Sequence, residues 1–480
     1  MKNKNTTELD KRLTAIRPTD RQLAYEELEF IGFIHFTVNT FTGREWGDGT
    51  EREEIFNSKK LDAAQWAKSL KAAGIKGVIL TCKHHDGFCL WPSKYTKHTV
   101  ASSPYKNGQG DIVKELSLAC KEEGLKFGIY LSPWDRNQET YGQGKPYDDF
   151  FVNQLTELLT GYGKIFCVWF DGACGEGPNG KVQRYDWNRY FEVIRRLQPE
   201  AVISVCGPDV RWCGNEAGDT REAEWSVVPA RCADTEKIKE NSQQADDESF
   251  RHRKISASDR DLGSREILEN EEDLIWYPAE VNLSIRPGWF YHEKEDDKLR
   301  SLDELMKVYV NSVGGNANML LNVPPNKDGL IAEGDVLRLK EMGEEIERLF
   351  RENIADEAKV EAEGARAMPD HEIENALLPD GSYFMTTEGE TWAEISFSWD
   401  NPQDIGCLVL KEQIRESQRI EDSDILVFRD GKAINSYKIK AVGHKKIVMI
   451  NEKEIDRLVI RINDARQYIT LKFIGIYKEV

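Results

Sequence analysis

Residues 165–172 read IFCVWFDG, a run of six apolar or aromatic residues that stops abruptly at Asp171 and Gly172. A continuous apolar run of this length is typical of a strand that is buried on both faces of a parallel sheet. A polar residue that closes such a strand lies where the strand ends and the next loop begins. The segment therefore predicts a parallel sheet that carries a carboxylate at its carboxyl edge.

Seven other runs of this kind occur along the chain, and amphipathic helical stretches separate the early ones. Eight parallel strands with crossover helices close a (β/α)8 barrel, so the predicted fold class is α/β. Residues 207–223 are rich in Gly, Asn and Asp, which predicts a loop and an irregular second half of this TIM-like barrel. The seven runs begin at Phe30, Gly77, Phe127, Ala201, Glu224, Val281 and Met319, and helices are predicted over residues 58–73, 111–123, 147–162 and 186–197.

The pattern of apolar and polar residues changes in the C-terminal part of the sequence. A helix is predicted over residues 333–351, and alternating strand patterns with Asp-Gly and Gly-His turns follow from Tyr383, as in an antiparallel β-sandwich. We therefore predict a catalytic barrel over residues 1–352, a linker over 353–369 and a C-terminal β-sandwich over 370–480. The sandwich is interpreted as structural support, and sugar binding by its loops is the alternative.

One further segment departs from the barrel pattern. Residues 230–279 are polar and charged, with few apolar residues at helical or strand spacing. A long polar insertion in a barrel is typically found beside the active site or on the outer surface. We therefore expect this segment to form a lid or a flank.

Composition narrows the classes of partner and the compartment. With 65 Lys and Arg against 84 Asp and Glu, the net charge of -19 disfavours nucleic acid and membrane partners. The nine cysteines are scattered singly without a CxxC pair, which indicates free thiols and no structural zinc site. No signal-like segment opens the chain, so we expect a cytoplasmic protein, or a secreted or periplasmic one if a leader has been removed. The sequence leaves the oligomeric state open.

Polar residues that close the predicted strands form a short list of candidates for chemistry. Asp171 is the strongest of them, and Trp169, two residues earlier, should lie on the same side of its strand. The alternative for Asp171 is an ordinary loop residue that caps a turn. The complete list is His35, His84, His85, Asp86, Tyr130, Trp134, Trp169 and Asp171.

Hydrolysis through paired carboxylates requires a second acidic group near the first. The candidates in this sequence are Glu216, Glu222 and Glu224. Glu216 lies in the Gly-flanked loop RWCGNEAG next to Trp212, where a partly desolvated carboxyl group could keep its proton. A solvated surface glutamate is the other interpretation of the same residue.

The histidines allow a different chemistry. His35, His84 and His85 with Asp86 could ligate a metal in a barrel hydrolase, and they could equally be packed core histidines. No HxH or HExxH motif completes a ligand set, so neither a metal nor another cofactor is expected. Neutral imidazoles that hydrogen-bond to sugar hydroxyls require no such completion. The metal-dependent hydrolase remains an alternative at this point.

Seven motifs follow one another in order, each at a predicted strand end or in the loop after it. They are FIGFIHF at Phe30, GREWG at Gly43, TCKHHDGFCLWPS at Thr81, GIYLSPWD at Gly128, VWFDG at Val168, SIRPGWFYH at Ser284 and GGNANMLLNVPPNKDG at Gly314. In this order they resemble glycoside hydrolase family 29, the α-L-fucosidases, over roughly residues 15 to 350. The resemblance implies a retaining exo-α-L-fucosidase that acts on fucosylated oligosaccharides, with Asp171 as nucleophile.

The resemblance also implies roles for the residues around Asp171. The loop RWCGNEAG is similar to the branch that prefers α-1,3- and α-1,4-linked fucose on Lewis-type glycans, in which Glu216 would be the acid/base. Trp289 and Trp276 would line the leaving-group side. A non-catalytic fucose-binding protein remains an alternative function. The residues that would hold the sugar are His35, Glu45, Trp46, His84, His85, Tyr130 and Trp169, with Arg211 as a further candidate.

Overall fold

The computed structural model describes residues 7–242 and 252–479. None of the helices in these two ranges combines the length and the apolar character that a membrane crossing requires. The helices are α1 (Glu8–Thr14), α2 (Asp20–Glu26), α3 (Val38–Thr42), α4 (Ala63–Ala72), α5 (Ile112–Glu123), α6 (Lys145–Gly161), α7 (Trp187–Leu197), α8 (Thr235–Ser242), α9 (Arg265–Leu268), α10 (Leu302–Ser312) and α11 (Glu333–Leu349). The strands are β1 (Phe30–Ile34), β2 (Gly77–Lys83), β3 (Lys126–Leu131), β4 (Ile165–Phe170), β5 (Val202–Val205), β6 (Arg211–Trp212), β7 (Val227–Pro229), β8 (Leu274–Trp276), β9 (Ala279–Ser284), β10 (Ala317–Asn322), β11 (Lys359–Glu363), β12 (Phe384–Met385), β13 (Ala393–Lys411), β14 (Ile420–Arg429), β15 (Lys432–Ile439), β16 (Lys446–Ala465), β17 (Thr470–Leu471) and β18 (Phe473–Lys478).

An eight-stranded parallel sheet forms the N-terminal part, in the order β5-β4-β3-β2-β1-β10-β9-β6. Its two end strands approach each other through a single parallel bridge between Ser204 and Val210, so the barrel is nearly closed. The strands are buried because helices cover the outside of the sheet and side chains fill its inside. The predicted fold class, an irregular (β/α)8 barrel followed by an antiparallel β domain, is confirmed.

The helices that cover the early strands begin and end where local chemistry favours it. Asp62 and Asp111 cap α4 and α5 by accepting from backbone N–H groups. Gly124 ends α5 with a φ of +75°, a left-handed conformation that glycine adopts without steric cost. These caps fix where α4 and α5 begin and where α5 ends.

The sixth barrel strand differs from the sequence prediction. The run that begins at Glu224 forms β7, which pairs with β8 in a separate two-stranded antiparallel sheet. Only two residues of the predicted loop, Arg211 and Trp212, pair with β9 and take the sixth place in the barrel. A strand of two residues has no recognisable period, whereas VVP is apolar enough to be mistaken for a barrel strand.

Two antiparallel sheets make up the C-terminal part. The larger has six strands, with β11-β13-β16-β14-β15 in order and β18 beside β13. The register between the long strands β13 and β16 shifts between Ser398 and Cys407, and both strands contribute side chains to a second apolar core. Residues 359–363, within the segment predicted as a linker, form the edge strand β11 of this sheet.

A buried charge cluster joins the two parts at the amino-terminal end of β1. Glu29 accepts hydrogen bonds from Lys411 and Lys445, both at 2.8 Å, and contacts His444 at 3.2 Å. Burial alone would raise the pKa of Glu29, but these partners hold it well below its ordinary value. The C-terminal domain therefore contacts β1 at the end opposite to His35, where the candidate site begins.

Candidate active site

The carboxyl ends of the barrel strands surround a pocket that opens to solvent. Asp171, which follows β4, and Glu216, which follows β6, both line it. Seven other lining residues were predicted from the sequence, namely His35, Glu45, Trp46, His84, His85, Trp169 and Trp289. Seven more complete the lining: Phe33, Gly172, Ala173, Val205, Trp212, Ser242 and Asn282.

Asp171 is held in one orientation by two hydrogen bonds. The Tyr130 hydroxyl donates to Oδ2 at 2.9 Å, and the backbone N–H of Ala173 donates to Oδ1 at 2.8 Å. The Nε2 atom of His85 lies 3.8 Å from Oδ2, and the side chain of Asp171 is 23% exposed. The contacts with Tyr130 and Ala173 therefore hold the carboxylate in place, and its exposed part faces the pocket. A positioned nucleophile requires this arrangement.

Glu216 reaches the same pocket from a different strand end. Its Oε2 atom accepts from the indole N–H of Trp289 at 2.9 Å. The two alternative glutamates do not line this pocket. Glu224 is buried between Arg211 and Arg221, which lower its pKa against the raising effect of burial, and Glu222 is exposed. Among the three candidates, Glu216 alone lines the pocket together with Asp171.

Two histidines present a hydrogen-bond acceptor to the pocket. Asn322 uses its N–H groups on Ser284 and Trp289, so its Oδ1 atom accepts from His35 Nδ1 at 2.8 Å. Ser132 donates its hydroxyl to the carbonyl of Trp134, so it accepts from His85 Nδ1 at 2.7 Å. In both neutral rings the Nε2 atom therefore carries a lone pair, which can accept a hydrogen bond from a ligand hydroxyl.

Burial keeps these imidazoles neutral. It lowers the pKa of His35 to about 3 and that of His85 to about 4, although Asp171 acts in the opposite direction on both. It also lowers the pKa of His84 well below the ordinary value, and the ring of His84 stacks on Tyr130 at 5.7 Å. The three rings therefore act as neutral hydrogen-bonding groups near neutral pH.

The loop that carries Glu45 and Trp46 is tied to the opposite wall. Glu45 accepts from the backbone N–H of Trp289 at 2.7 Å, and its other oxygen contacts His292 Nε2 at 2.7 Å. Trp46 meets the ring of His85 edge to face at 5.8 Å. Trp289 is thus connected to both Glu45 and Glu216, which fixes the spacing of the pocket walls.

Three residues predicted to hold or flank the ligand lie elsewhere. Tyr130 is fully buried behind Asp171 and acts on that carboxylate rather than lining the pocket. Arg211 points away, because neighbouring residues of a strand face opposite sides and Trp212 takes the inward place; its guanidinium pairs with Glu224. Trp276 lies in β8, where its indole N–H donates to Glu26.

The geometry also bears on the metal-dependent alternative. Asp86 is turned away from the pocket and accepts from Thr37 and from the backbone N–H of Phe88. His35 and His85 each commit one ring nitrogen to Asn322 and Ser132. Within residues 7–242 and 252–479, no group of three or more His, Cys, Asp and Glu side chains is arranged to hold a metal ion. In the described part of the chain, the four residues of the metal-dependent alternative therefore do not form a ligand set.

The similarity to known proteins extends over the part of the chain that forms the barrel and the pocket. The sequence profile described as alpha-L-fucosidase matches residues 21–348, which include every strand of the barrel. This chain belongs to the α-L-fucosidase family. It is 37% identical to Alpha-L-fucosidase 1 of Arabidopsis thaliana over 96% of this chain and 87% of that protein.

Solved structures of this glycoside hydrolase family share the fold. A glycoside hydrolase 29 family member from a rumen bacterium is 34% identical, with a TM-score of 0.80 over 97% of this chain and 78% of that one. A Ruminococcus gnavus GH29 fucosidase, solved in complex with fucose, is 28% identical, with a TM-score of 0.81 over 97% and 95% of the two chains. As a member of the family, this protein is a glycoside hydrolase with α-L-fucosidase activity.

Several residues of the α-L-fucosidase pocket escaped the sequence prediction. Phe33 and Asn282 lie inside strands rather than at their ends, so a search for strand-closing polar residues passes over them. Val205 ends β5 with a φ of +67°, a conformation that β-branched residues rarely adopt. Asn322, which does not line the pocket but hydrogen-bonds to His35, closes β10, and its position at a strand end could have identified it.

We expect Tyr130→Phe to lower kcat/KM about 10- to 100-fold, because a hydrogen bond to a charged group contributes about 1.5–3 kcal/mol. The phenyl ring keeps the stacking on Trp169 and His84, so the fold should be unchanged. Steady-state kinetics on a fucoside with an activated leaving group would measure the loss. A variant as active as the parent would show that Tyr130 does not position Asp171.

Proposed function

We propose that this α-L-fucosidase releases terminal L-fucose with retention of configuration by double displacement. Asp171 attacks the anomeric carbon and forms a glycosyl-enzyme ester, while Glu216 donates a proton to the departing glycosidic oxygen. Glu216 then takes a proton from water, which attacks the ester and releases fucose and Asp171. The observation that carries this proposal is that these two carboxyl groups, from different strand ends, line one pocket.

The remaining lining residues fit the sugar that this reaction requires. The Nε2 atoms of His35 and His85 would accept hydrogen bonds from fucose hydroxyls, and His84 and Glu45 lie on the same pocket. Trp46, Trp169 and Trp289 add apolar faces that suit the C–H groups and the methyl of a deoxy sugar. The pocket therefore combines dense polar groups with aromatic walls, as a fucose site needs.

We further propose a preference for α-1,3- and α-1,4-linked fucose on branched, Lewis-type glycans. The support is the loop RWCGNEAG, together with the two indole rings beside its glutamate: Trp289 donates to Glu216, and Trp212 lies on the same pocket. Two aromatic faces next to the acid/base could receive the neighbouring sugars of a branched leaving group.

The linkage proposal is tested by offering three substrates to the same enzyme preparation. We expect a Lewis trisaccharide to be hydrolysed with the highest kcat/KM, ahead of an α-1,2-fucosylated glycan and an aryl α-fucoside. Released fucose, measured by chromatography, gives the rates. A preference for the aryl fucoside or for the α-1,2 linkage would refute the assignment to this branch and leave the fucosidase activity intact.

We infer that the protein works in the cytoplasm. The support is the state of its nine cysteines, which are all free thiols, and eight of them are buried. Proteins of oxidising compartments usually pair their cysteines. Fractionation of the native cells, followed by fucosidase assay of each fraction, would test the inference, and activity in the extracellular fraction would overturn it.

A further inference from the structure

Glu280 is a fully buried carboxyl group in the barrel interior, beneath the pocket. It lies on β9 two residues before Asn282, a pocket residue, so both side chains face the same side of the strand. Its Oε1 atom accepts from the indole N–H of Trp169 at 2.8 Å, and its Oε2 atom accepts from the hydroxyl of Tyr25 at 2.5 Å. The mechanism proposed above makes no use of this residue.

Trp169 connects Glu280 to the reacting groups. Its indole ring lines the pocket and stacks on Tyr130 at 5.3 Å with an angle of 24° between the planes. Tyr130 in turn donates to Asp171 at 2.9 Å. The position of the Trp169 ring therefore affects both the wall of the pocket and the hydroxyl that orients the proposed nucleophile.

A buried carboxyl group in an apolar barrel is costly unless donors satisfy it. Burial raises the pKa of Glu280 to about 7, and its two hydrogen bonds act in the opposite direction. The titratable groups that interact with it are Tyr25 and Cys167. In the described part of the chain, no cationic side chain lowers the pKa of Glu280. The groups that lower it are the two hydrogen-bond donors, Trp169 and Tyr25.

We propose that Glu280 is a positioning residue of the fucose site, which acts by holding the indole N–H of Trp169. Without this acceptor, the N–H would be left unpaired at the barrel centre, and the ring would turn toward the pocket to reach another acceptor. The pocket would then fit the sugar less well. This inference rests on the proposed fucose site, since it concerns the wall of that pocket.

Three substitutions separate the position of the acceptor from its charge. Glu280→Gln removes the charge but keeps an oxygen at the same distance from the backbone, so it can still accept from Trp169. Glu280→Asp keeps a carboxyl group but shortens the side chain by about one C–C bond, roughly 1.5 Å, which moves the acceptor away from Trp169. Tyr25→Phe is the matched control, because it removes the other donor and leaves the bond to Trp169. Thermal unfolding of each variant reports whether the fold is intact.

The readouts are KM and the competitive inhibition constant of free fucose. We expect Glu280→Asp to raise both about tenfold, equivalent to about 1.4 kcal/mol of binding free energy. Glu280→Gln and Tyr25→Phe should bind fucose like the parent. A Gln variant with impaired binding, or an Asp variant with normal binding, would overturn the proposal.

A fourth variant keeps the test valid if Glu280→Asp does not fold. Trp169→Phe retains a ring in the pocket wall but lacks the indole N–H, and we expect it to raise the fucose inhibition constant. Normal fucose binding by this variant would also overturn the proposal. Failure of the fucose site itself would appear differently, because free fucose would then not inhibit the parent enzyme competitively.

Discussion

Asp171→Asn is expected to lower kcat by about 10³- to 10⁵-fold, because an amide cannot form the glycosyl ester of the first displacement. The substitution is nearly isosteric: the amide oxygen can still accept from the backbone N–H of Ala173, and the amide N–H can donate to the hydroxyl of Tyr130, which then acts as acceptor. The pocket should therefore still bind fucose, which equilibrium titration with the free sugar would measure. Loss of turnover with retained binding is the result that the geometry predicts.

The matched control for this variant is Asp149→Asn on the surface of α6. Asp149 forms exposed ion pairs with Lys145 and Arg189 and does not line the pocket. Its replacement should leave kcat and KM unchanged, because exposed ion pairs contribute little. If Asp171→Asn turned over fucosides as fast as this control, Asp171 would not be the nucleophile.

The second large effect is expected at Glu216. Glu216→Ala should lower kcat on oligosaccharides by about 10²- to 10⁴-fold, because a poor leaving group needs the proton that Glu216 supplies. An activated aryl fucoside needs that proton less, so its first displacement should be less affected. Azide needs no general base, and in this variant it should attack the glycosyl-enzyme and give α-fucosyl azide, identified by NMR.

Two comparisons make the Glu216 result specific. Glu222→Ala changes an exposed glutamate six positions further along the chain and should remain fully active. Asp171→Gly with azide should give the β-azide, because azide would then replace the missing nucleophile in a single displacement. An enzyme that is insensitive to Glu216→Ala, or that yields no azide product, would contradict the acid/base assignment.

The sequence was most informative where a buried strand ends in a polar residue. His35, His84, His85 and Asp171 were found by that criterion, and the structure brings all four to one pocket. The criterion works because parallel strands of a barrel present their carboxyl ends on the same side. Polar residues at those ends are therefore neighbours in space although they are distant in sequence.

The second half of the barrel was harder to predict for a physical reason. Its sixth strand has only Arg211 and Trp212, and the register of a strand decides which side chain faces inward. Without a recognisable strand, the sequence could not show which of Arg211 and Trp212 faces inward. In the structure Trp212 lines the pocket, whereas Arg211 forms a buried ion pair with Glu224.

Side-chain contacts between residues far apart in sequence could not be predicted either. Glu45 is bound by Trp289 and His292, more than two hundred residues away in sequence. The same applies to Trp169 and Glu280, which lie 111 positions apart and meet only inside the closed barrel. Sequence patterns report which face of an element is buried, whereas such partners depend on how the elements come together.

The central claim, that Asp171 forms a covalent bond to the sugar, is tested most directly by trapping the intermediate. A 2-deoxy-2-fluoro-fucosyl fluoride slows the second displacement more than the first, so the labelled enzyme accumulates. Peptide mass spectrometry after proteolysis should find the fluorofucosyl group on Asp171 alone. Label on a different residue, or turnover with no covalent label, would contradict the account.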